Sequence, residues 1–409
     1  MEIISVDVVI VGAGIAGLAT AIALMKVGVR ALVLERSHEL RATGGALNLF
    51  PNAWVALEAL GVAHKLTRIY TPLDKGYITN VATGEIQEVS YARMDRTGKG
   101  LRSVHRRALV EALAEELPPG MIRFSSKLVS IETQTLEDSS PIAILHMEDG
   151  TIIKAEVLVG CDGVHSVVAR WLGLTTPIHS GRTAVLGMAK FPQGHGFNHE
   201  VHQFLGHERR AGCVPLNDKE VYWFITYKSY SMELTRDPEL IREEVMEHLA
   251  KDLPPKFLDL VQHSDPSTLT WAPLMLRYPW DLILGHICKG NITVAGDAMH
   301  PMTPDLGQGG CAALEDAVVL GRNIGTVVLR HGKMVSGAIE KYAKERRWRT
   351  AGLIVGSYLA GRAQQGGSGR MMKFIREMFF YRFVYRRIVD IIHYDCGKLP
   401  SVSSLDELN

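Results

Sequence analysis

The apolar and polar positions of the first sixty residues alternate between a strand pattern and a helix pattern. A mostly apolar run over residues 6–11, VDVVIV, predicts a buried strand, helical spacing follows over residues 15–27, and ALVLE at 31–35 predicts a second strand. Two such strands joined by a helix form a βαβ unit with a parallel pair. The N-terminal pattern therefore indicates a Rossmann-like α/β domain.

Farther along the chain the pattern changes twice. Residues 106–117 have helical spacing, and strand patterns at 127–132, 143–147 and 157–160 return to the first domain. From 183 to 227 short strands alternate with turns, and Asn217-Asp218 marks a hairpin. Residues 238–251 again read as helix, 290–330 as strand, loop and helix, and 337–394 as mainly helical. This order predicts a Rossmann-like domain interrupted by a mostly antiparallel sheet, with C-terminal helices.

The predicted domain boundaries follow from these changes of pattern. The nucleotide-binding domain is expected over 1–70, 98–178 and 286–335, the second domain over 71–97 and 179–285, and a C-terminal helical region over 336–409.

Composition narrows the class of protein. At 409 residues the chain exceeds what one hydrophobic core usually organises. The 45 basic and 44 acidic residues nearly cancel, which argues against a nucleic-acid partner. The five cysteines have no CxxC or metal-ligand spacing, so we expect reduced thiols and no metal. No apolar run is long enough to span a bilayer, and the first strand leaves no room for a signal peptide, so a cytoplasmic location is expected.

A glycine fingerprint lies between the first strand and the first helix. Gly12 allows a tight turn, Gly14 allows the backbone to approach a pyrophosphate, and Gly17 allows close helix packing. Glu35 ends the second strand, where its carboxylate can accept hydrogen bonds from a ribose, and Arg36 follows it. The fingerprint indicates a dinucleotide but does not distinguish FAD from NAD.

Two further motifs distinguish them. Residues 159–166 read VGCDGVHS, and residues 295–301 read AGDAMHP, continuing as PDLGQGGC at 304–311 and LEDA at 314–317. In order and spacing these resemble the DG and GD motifs of the para-hydroxybenzoate hydroxylase-like, group A FAD-dependent monooxygenases. The sequence GQGGC at 307–311 and the tail sequence HYDCG at 393–397 look most like those of plant monooxygenase-1-like proteins, with zeaxanthin epoxidase as a more distant relative.

The resemblance implies a bound FAD and a role for each motif. Asp297 would bind the ribityl chain, Arg106 the phosphates or ribose, and Val129 the adenine through its backbone. Asp162, followed by Gly163, would contact both the flavin and the reducing nicotinamide. The full expected set of cofactor-binding residues is Gly12, Gly14, Gly17, Glu35, Arg36, Arg106, Val129, Asp162, Gly296, Asp297, Pro304, Gly307, Gln308, Gly309 and Gly310.

Three positions near these motifs need a separate interpretation. The family often places arginine three residues after the serine of the DG motif, but here that position is Ala169 and the arginine is Arg170. Cys311 stands where asparagine is common, and without an activating base nearby we expect a packed thiol. His300 is expected to orient the GD loop by hydrogen bonding, since no second metal ligand stands one helical turn away.

The resemblance also implies the reaction. Flavin reduced by NADPH or NADH would react with O2 to a C4a-hydroperoxide, and the protein would position a small-molecule substrate and exclude water. No second GxGxxG follows a strand, so the nicotinamide is expected to approach through the same cleft. Hydroxylation is the first interpretation. Epoxidation of an alkene or terpenoid, or a non-catalytic FAD-containing binding protein, remain the alternatives.

Candidate substrate residues come from the strands of the second domain. They are His202, Gln203, Cys213, Tyr222 and Trp223. His202, Tyr222 and Tyr227 could act as a base, but buried aromatic and histidine side chains are more often core, so no catalytic base is assigned. The strands at 201–205, 211–216 and 221–227 contain no arginine or lysine, which predicts a neutral phenolic or terpenoid-like substrate. Arg209 and Arg210, at the turn before the second of these strands, could reverse that prediction.

The tail residues 371–392 mix aromatic and basic side chains. This composition fits either an interfacial membrane helix or a helix that packs its aromatic stripe on the flavin domain. We favour packing.

Overall fold

The chain was analysed as a computed structural model that describes residues 3–41, 45–135, 141–229, 235–331, 336–365 and 390–401. Its strands are β1 (Ile3–Val11), β2 (Ala31–Leu34), β3 (Ala46–Leu49), β4 (Lys75–Asn80), β5 (Ile86–Ser90), β6 (Arg102–His105), β7 (Ile122–Arg123), β8 (Leu128–Thr135), β9 (Pro141–Met147), β10 (Ile152–Gly160), β11 (Ile178–Lys190), β12 (Val201–Gly206), β13 (Arg209–Pro215), β14 (Glu220–Lys228), β15 (Thr270–Leu276), β16 (Cys288–Lys289) and β17 (Ile292–Val294).

The helices include one in each predicted helical range and several that the sequence pattern did not predict. They are α1 (Ile15–Lys26), α2 (Pro51–Leu60), α3 (Ala63–Thr67), α4 (Tyr91–Met94), α5 (Arg106–Ala114), α6 (Val167–Trp171), α7 (Pro238–Glu244), α8 (Pro255–Gln262), α9 (Pro279–Leu284), α10 (Gly309–His331) and α11 (Ser336–Gln365). A π-helical turn, Val245–Leu249, continues α7, and 3₁₀ turns occupy Pro266–Thr268, Gly296–Ala298 and Pro304–Leu306.

The first sheet is the nucleotide-binding sheet that the N-terminal pattern predicts. Its strands run in the order β16, β17, β10, β1, β2 and β7, with β8 and β9 joined beside β10. The pairs of β1 with β2 and β10, and of β10 with β17, are parallel. Residues 8–11 of β1 are buried, as expected for a strand covered on both faces. The predicted Rossmann-like α/β class is confirmed.

The second sheet is mostly antiparallel, as predicted. Its order is β15, β11, β14, β13, β12, β4 and β5, and within the described residues only the β12–β4 pair is parallel. Strands β13 and β14 form the hairpin predicted at Asn217-Asp218. Helices α7 and α8 pack on one face of this sheet through the cluster that contains Trp223 and Phe257. We call this the outer face, and the opposite one, which meets the 304–306 turn, the inner face.

Helix α11 of the C-terminal region contacts elements of both the nucleotide-binding domain and the second sheet. Helix α11 packs against α10, α9 and the 304–306 turn, so the helical prediction for 337–394 is confirmed over the described part of that range in α11. Residues 366–389, which hold most of the aromatic and basic tail 371–392, lie outside the described residues. Among the helices that the structure describes, none is both long and apolar enough to cross a bilayer. The exact domain boundaries stay a prediction.

Candidate flavin and substrate site

The glycine fingerprint folds as its spacing requires. Gly12 has φ +103°, and a Cβ there would collide with the carbonyl of Cys161 on the neighbouring motif. A Cβ on Gly17 would collide with the carbonyl of Gly12, whereas one on Gly14 would meet nothing within 4 Å. Helix α1 starts directly after Gly14 with no side-chain cap and no acidic residue in its first turn. Its first N–H groups therefore form a site suited to a phosphate.

Glu35 is fixed at the end of β2. One carboxylate oxygen accepts a hydrogen bond from the Ala13 N–H at 2.9 Å and the other from the Ser37 N–H at 2.9 Å. Each oxygen keeps a second acceptor position that a ribose hydroxyl can use. The side chain of Arg36 is exposed beside it.

The residues expected around the rest of the adenosine lie at the same end of the sheet. The Ser126 N–H donates to the Glu35 carbonyl at 2.8 Å, which holds the start of β8 next to Glu35, and Val129 on that strand is 54% exposed. Arg106 begins α5, which packs on α1, and its side chain is exposed. Their contacts with FAD stay predictions.

The GD motif packs closely against α1, the helix that follows the glycine fingerprint. Gly296 has φ +60°, and a Cβ there would lie 2.7 Å from the Cβ of Ala16. Asp297, in the turn that directly follows β17, is exposed beside the start of α1. A carboxylate in this position can accept hydrogen bonds from a polyol chain that continues from the pyrophosphate.

The DG motif lies at the end of the adjacent strand, β10. Asp162 accepts a hydrogen bond from the Val167 N–H at 2.7 Å through one oxygen, and the other oxygen is buried with no partner in the described chain. Burial raises the pKa of Asp162. Ala169, at the position of the family arginine, is buried in α6, while Arg170 is exposed.

The glycine-rich loop lies between the two sheets. After Pro304, Gly307 has φ +63°, and a Cβ on Gly309 would meet nothing within 4 Å. The side-chain carbonyl of Gln308 accepts a hydrogen bond from Asn52 at 2.9 Å, while its buried amide nitrogen has no partner among the described residues. Gly310, in the first turn of α10, lies against Leu47. The unpaired polar atoms of Asp162 and Gln308, and the open space at Gly14 and Gly309, fit a polar planar cofactor between these motifs.

A buried ionic network fixes the GD motif to α10 and α11. Asp316 accepts hydrogen bonds from the Gly296 N–H at 2.8 Å, from His300 at 2.6 Å and from Arg346 at 2.7 Å. Burial acts to raise the pKa of Asp316, but the charges of His300 and Arg346 outweigh it and hold this pKa below its usual value. The geometry supports the expected role of His300 as the residue that orients this loop.

The thiol of Cys311 is a packed group in this arrangement. Its residue is fully buried at the start of α10, and burial raises the pKa of Cys311 to about 12. The structure therefore agrees with the interpretation as a packed thiol rather than a nucleophile.

The five predicted substrate residues lie on two faces of the second sheet. His202, Cys213 and Trp223 are cross-strand partners, so their side chains share the outer face, away from the glycine-rich loop. Gln203 and Tyr222 lie on the inner face. The structure does not bring the five together, and only the last two can contribute to a site beside the flavin. Tyr227 also lies on the outer face, where its hydroxyl accepts a hydrogen bond from Trp271 at 2.9 Å.

The premise of the neutral-substrate prediction is wrong. Arg210 is a residue of β13 and Arg182 a residue of β11, and both are buried on the inner face. Arg182 holds the Asp305 carboxylate with two nitrogens, one of them at 2.9 Å. Arg210 lies 3.6 Å from Asp305, donates to Gln203 at 3.2 Å and lies over the ring of Phe224.

Sequence reasoning missed Arg182 and placed Arg210 in a turn, because it started both strands too late. Arg182 stands one position before the strand pattern that begins at residue 183, and Arg210 one position before the AGCVPL segment. In both strands the arginine is an even number of positions from the inner-face residues that follow it, so its side chain points to the same face. That alternation was the available signal.

The comparisons with known proteins agree with this geometry. A family model described as FAD binding domain matches residues 5–356. The chain belongs to this family. It is a group A flavoprotein monooxygenase with FAD as its cofactor, as the motifs predicted.

Relatives of this flavoprotein cover nearly its whole length. It is 40% identical to Monooxygenase 2 of Arabidopsis thaliana over 97% of this chain and 98% of that protein. Monooxygenase 1 of the same plant is 38% identical over 96% and 99%. Among solved structures, Klebsiella pneumoniae HpxO complexed with FAD and uric acid superposes with a TM-score of 0.81 and 25% identity, covering 95% of this chain and 96% of that one. The resemblance to plant monooxygenase-1-like proteins is confirmed.

Proposed function

We propose that this flavoprotein uses NADPH or NADH and O2 to hydroxylate a small phenolic or enolic aromatic substrate, bound as its oxyanion beside Arg210. The overall reaction consumes substrate, O2, NAD(P)H and a proton, and yields hydroxylated substrate, water and NAD(P)⁺.

The surplus positive charge of the inner face supports this proposal most strongly. Two buried guanidinium groups, Arg182 and Arg210, share one carboxylate, Asp305, and Arg182 already occupies both of its oxygens. An arginine stays protonated in proteins, and an unbalanced buried charge is costly. Arg210 is therefore suited to an anionic oxygen of a ligand. The relative HpxO, solved with uric acid, offers an acidic heteroaromatic as a parallel.

The other inner-face residues suit a flat ring. Phe224 lies between Arg210 and Tyr222. The centre of its ring is 6.2 Å from that of Tyr222 and 5.4 Å from the guanidinium carbon of Arg210. A Cβ on Gly45 would collide with the ring of Tyr222, so that tyrosine also closes the site against the first domain. Burial raises the pKa of Tyr222, so its hydroxyl stays protonated and can donate a hydrogen bond.

The chemistry assigns a task to Arg210. Bound FAD, once reduced, supplies an electrophilic oxygen atom derived from O2. An aromatic ring is more reactive toward such an oxygen when its hydroxyl is ionised, and Arg210 would favour that ionised form. The residues of this chain bind, orient and shield the substrate, and no protein nucleophile is required.

The experiment compares phenols with their O-methyl ethers, alkenes and aromatic acids on the FAD-loaded protein. NADPH and NADH consumption is measured together with product formed under labelled O2. We expect a phenol to be hydroxylated and its ether, which cannot ionise, to be left unchanged. Arg210→Gln should raise KM for the phenol and lower the fraction of NAD(P)H coupled to product.

Arg209→Gln is the matched control, because Arg209 lies on the outer face, where it pairs with Asp252. Equal turnover of phenol and ether, or an unchanged KM in Arg210→Gln, would contradict the oxyanion proposal. Epoxide products would support the epoxidase alternative. No consumption above that of free FAD with any compound would support a non-catalytic flavoprotein.

A further inference from the structure

A second cavity lies on the outer face of the second sheet. Its volume is about 580 Å³, within the range of small-molecule sites. Its walls include Phe197, His202, Phe204, Cys213, Lys256 and Phe257. The sheet separates it from Arg210, because residues of opposite parity on β12 and β13 line the two sides.

The cavity combines aromatic walls with one cation, Lys256, whereas burial lowers the pKa of His202 and favours its neutral imidazole. The Lys256 ammonium lies 5.6 Å from the centre of the Phe197 ring, and His202 stacks on Tyr77 with centroids 5.7 Å apart. The nearest acidic partner of His202 is Glu200, at 3.8 Å, which already pairs with Lys75 at 3.1 Å.

The start of α8 adds to this charge. The helix begins at Pro255, directly before Lys256, and no side chain caps its N-terminus. Pro255 has no N–H, and the Phe257 N–H donates to the Pro254 carbonyl at 2.7 Å, so it is the backbone N–H of Lys256 that favours a negative group at this end of the cavity.

We propose that this outer cavity is a second binding site, for a small aromatic carboxylate whose ring lies among Phe197, Phe204 and His202 and whose carboxylate meets Lys256. A ring of this kind gains from contact with aromatic side chains. A carboxylate paired with the ammonium and the backbone N–H of Lys256 forms charge-assisted hydrogen bonds. The site is distinct from the one beside the flavin and does not depend on the proposed hydroxylation.

The test uses calorimetric titration of the FAD-loaded protein with benzoate, benzamide and acetate. We expect benzoate to bind more tightly than the other two, since only benzoate carries both the ring and the charge. Lys256→Gln should weaken benzoate binding about tenfold, the effect of losing one charge-assisted hydrogen bond. Lys251→Gln, a nearby exposed lysine, should leave it unchanged.

The Arg210→Gln protein separates this site from the inner one. Benzoate binding at the outer cavity should persist in that variant and should not perturb the flavin absorbance spectrum. Loss of all benzoate binding in Arg210→Gln, equal binding of benzamide, or full affinity in Lys256→Gln would overturn the proposal. A crystal soaked with 4-bromobenzoate should show anomalous signal between Phe197 and Phe204, and signal only beside Arg210 would also overturn it.

Discussion

Single residues at the ends of the parallel strands decide whether the cofactor is held. Asp297 is exposed beside the uncapped start of α1, where a ribityl chain would continue from the pyrophosphate. We expect the purified protein to be yellow with about one FAD per chain, and Asp297→Ala to be mostly colourless. The measurement is visible flavin absorbance relative to protein absorbance. Asp218→Ala, in the exposed hairpin turn, is the control, and full flavin occupancy in Asp297→Ala would show that the ribityl assignment is wrong.

Another residue-scale prediction concerns Gly361 of α11. A Cβ there would lie 2.5 Å from both terminal nitrogens of Arg182 and 2.6 Å from a carboxylate oxygen of Asp305. Gly361→Ala should force this ion pair to shift and should destabilise the protein by about 1–3 kcal/mol, as overpacking usually does. It should also raise KM for the substrate, because Asp305 would then compete for Arg210.

Gly352→Ala provides the matched comparison in the same helix. A Cβ on Gly352 meets nothing within 4 Å, so the change should stabilise the helix by about 0.5–1 kcal/mol and leave KM unchanged. Thermal unfolding and steady-state kinetics check both variants. Equal behaviour of the two would mean that α11 does not support the inner site.

At the scale of elements, α11 holds the GD motif in place through Arg346. This fully buried side chain pairs with Asp316 at 2.7 Å and with Glu315 at 2.7 Å. Arg346→Gln leaves two buried carboxylates short of a cation and should lower the free energy of unfolding by about 3–5 kcal/mol. Because Asp316 also binds the Gly296 N–H, the variant should lose FAD more readily.

Urea unfolding and FAD release on dilution measure these two effects. Arg362→Gln, an exposed arginine of the same helix, should change neither by more than about 0.5 kcal/mol. If Arg346→Gln keeps its flavin as tightly as the unaltered protein, the network stabilises the helices without supporting the cofactor site.

At the scale of the whole molecule, the same network predicts how stability depends on pH. Burial acts to raise the pKa of Glu315, but Arg346 and Arg349 outweigh it, so the pKa values of both Glu315 and Asp316 are depressed in the folded chain. A depressed carboxyl pKa contributes stability above the unfolded pKa, and this is lost as pH falls through the folded value. The free energy of unfolding should therefore hold above about pH 5 and decline below about pH 4.

Chemical unfolding of the FAD-loaded protein across this pH range is the measurement. Arg346→Gln should show a smaller decline, because each carboxylate loses one of the two cations that depress its pKa, while Arg349 and His300 remain. An identical acid decline in the variant and the unaltered protein would place the titrating groups elsewhere.

Sequence alone determined the features that depend on local spacing. The fingerprint at Gly12, Gly14 and Gly17 needs only a strand, a tight turn and a helix start, and the GD motif needs only the next strand end, so both could be read from contiguous residues. The two sheet types followed from runs of apolar residues in one case and from short strands with turns in the other.

Tertiary structure alone decided which side chains share a site. His202 and Gln203 are neighbours in the chain but point to opposite faces of one sheet, so one lines the outer cavity and the other accepts a hydrogen bond from Arg210. Arg182 and Asp305 are far apart in sequence, and only the packing of the second sheet on the glycine-rich loop joins them. Alternation along each strand groups the residues of one face, but only long-range packing decides which face meets the glycine-rich loop, so the folded chain was needed to show the charge of the inner site.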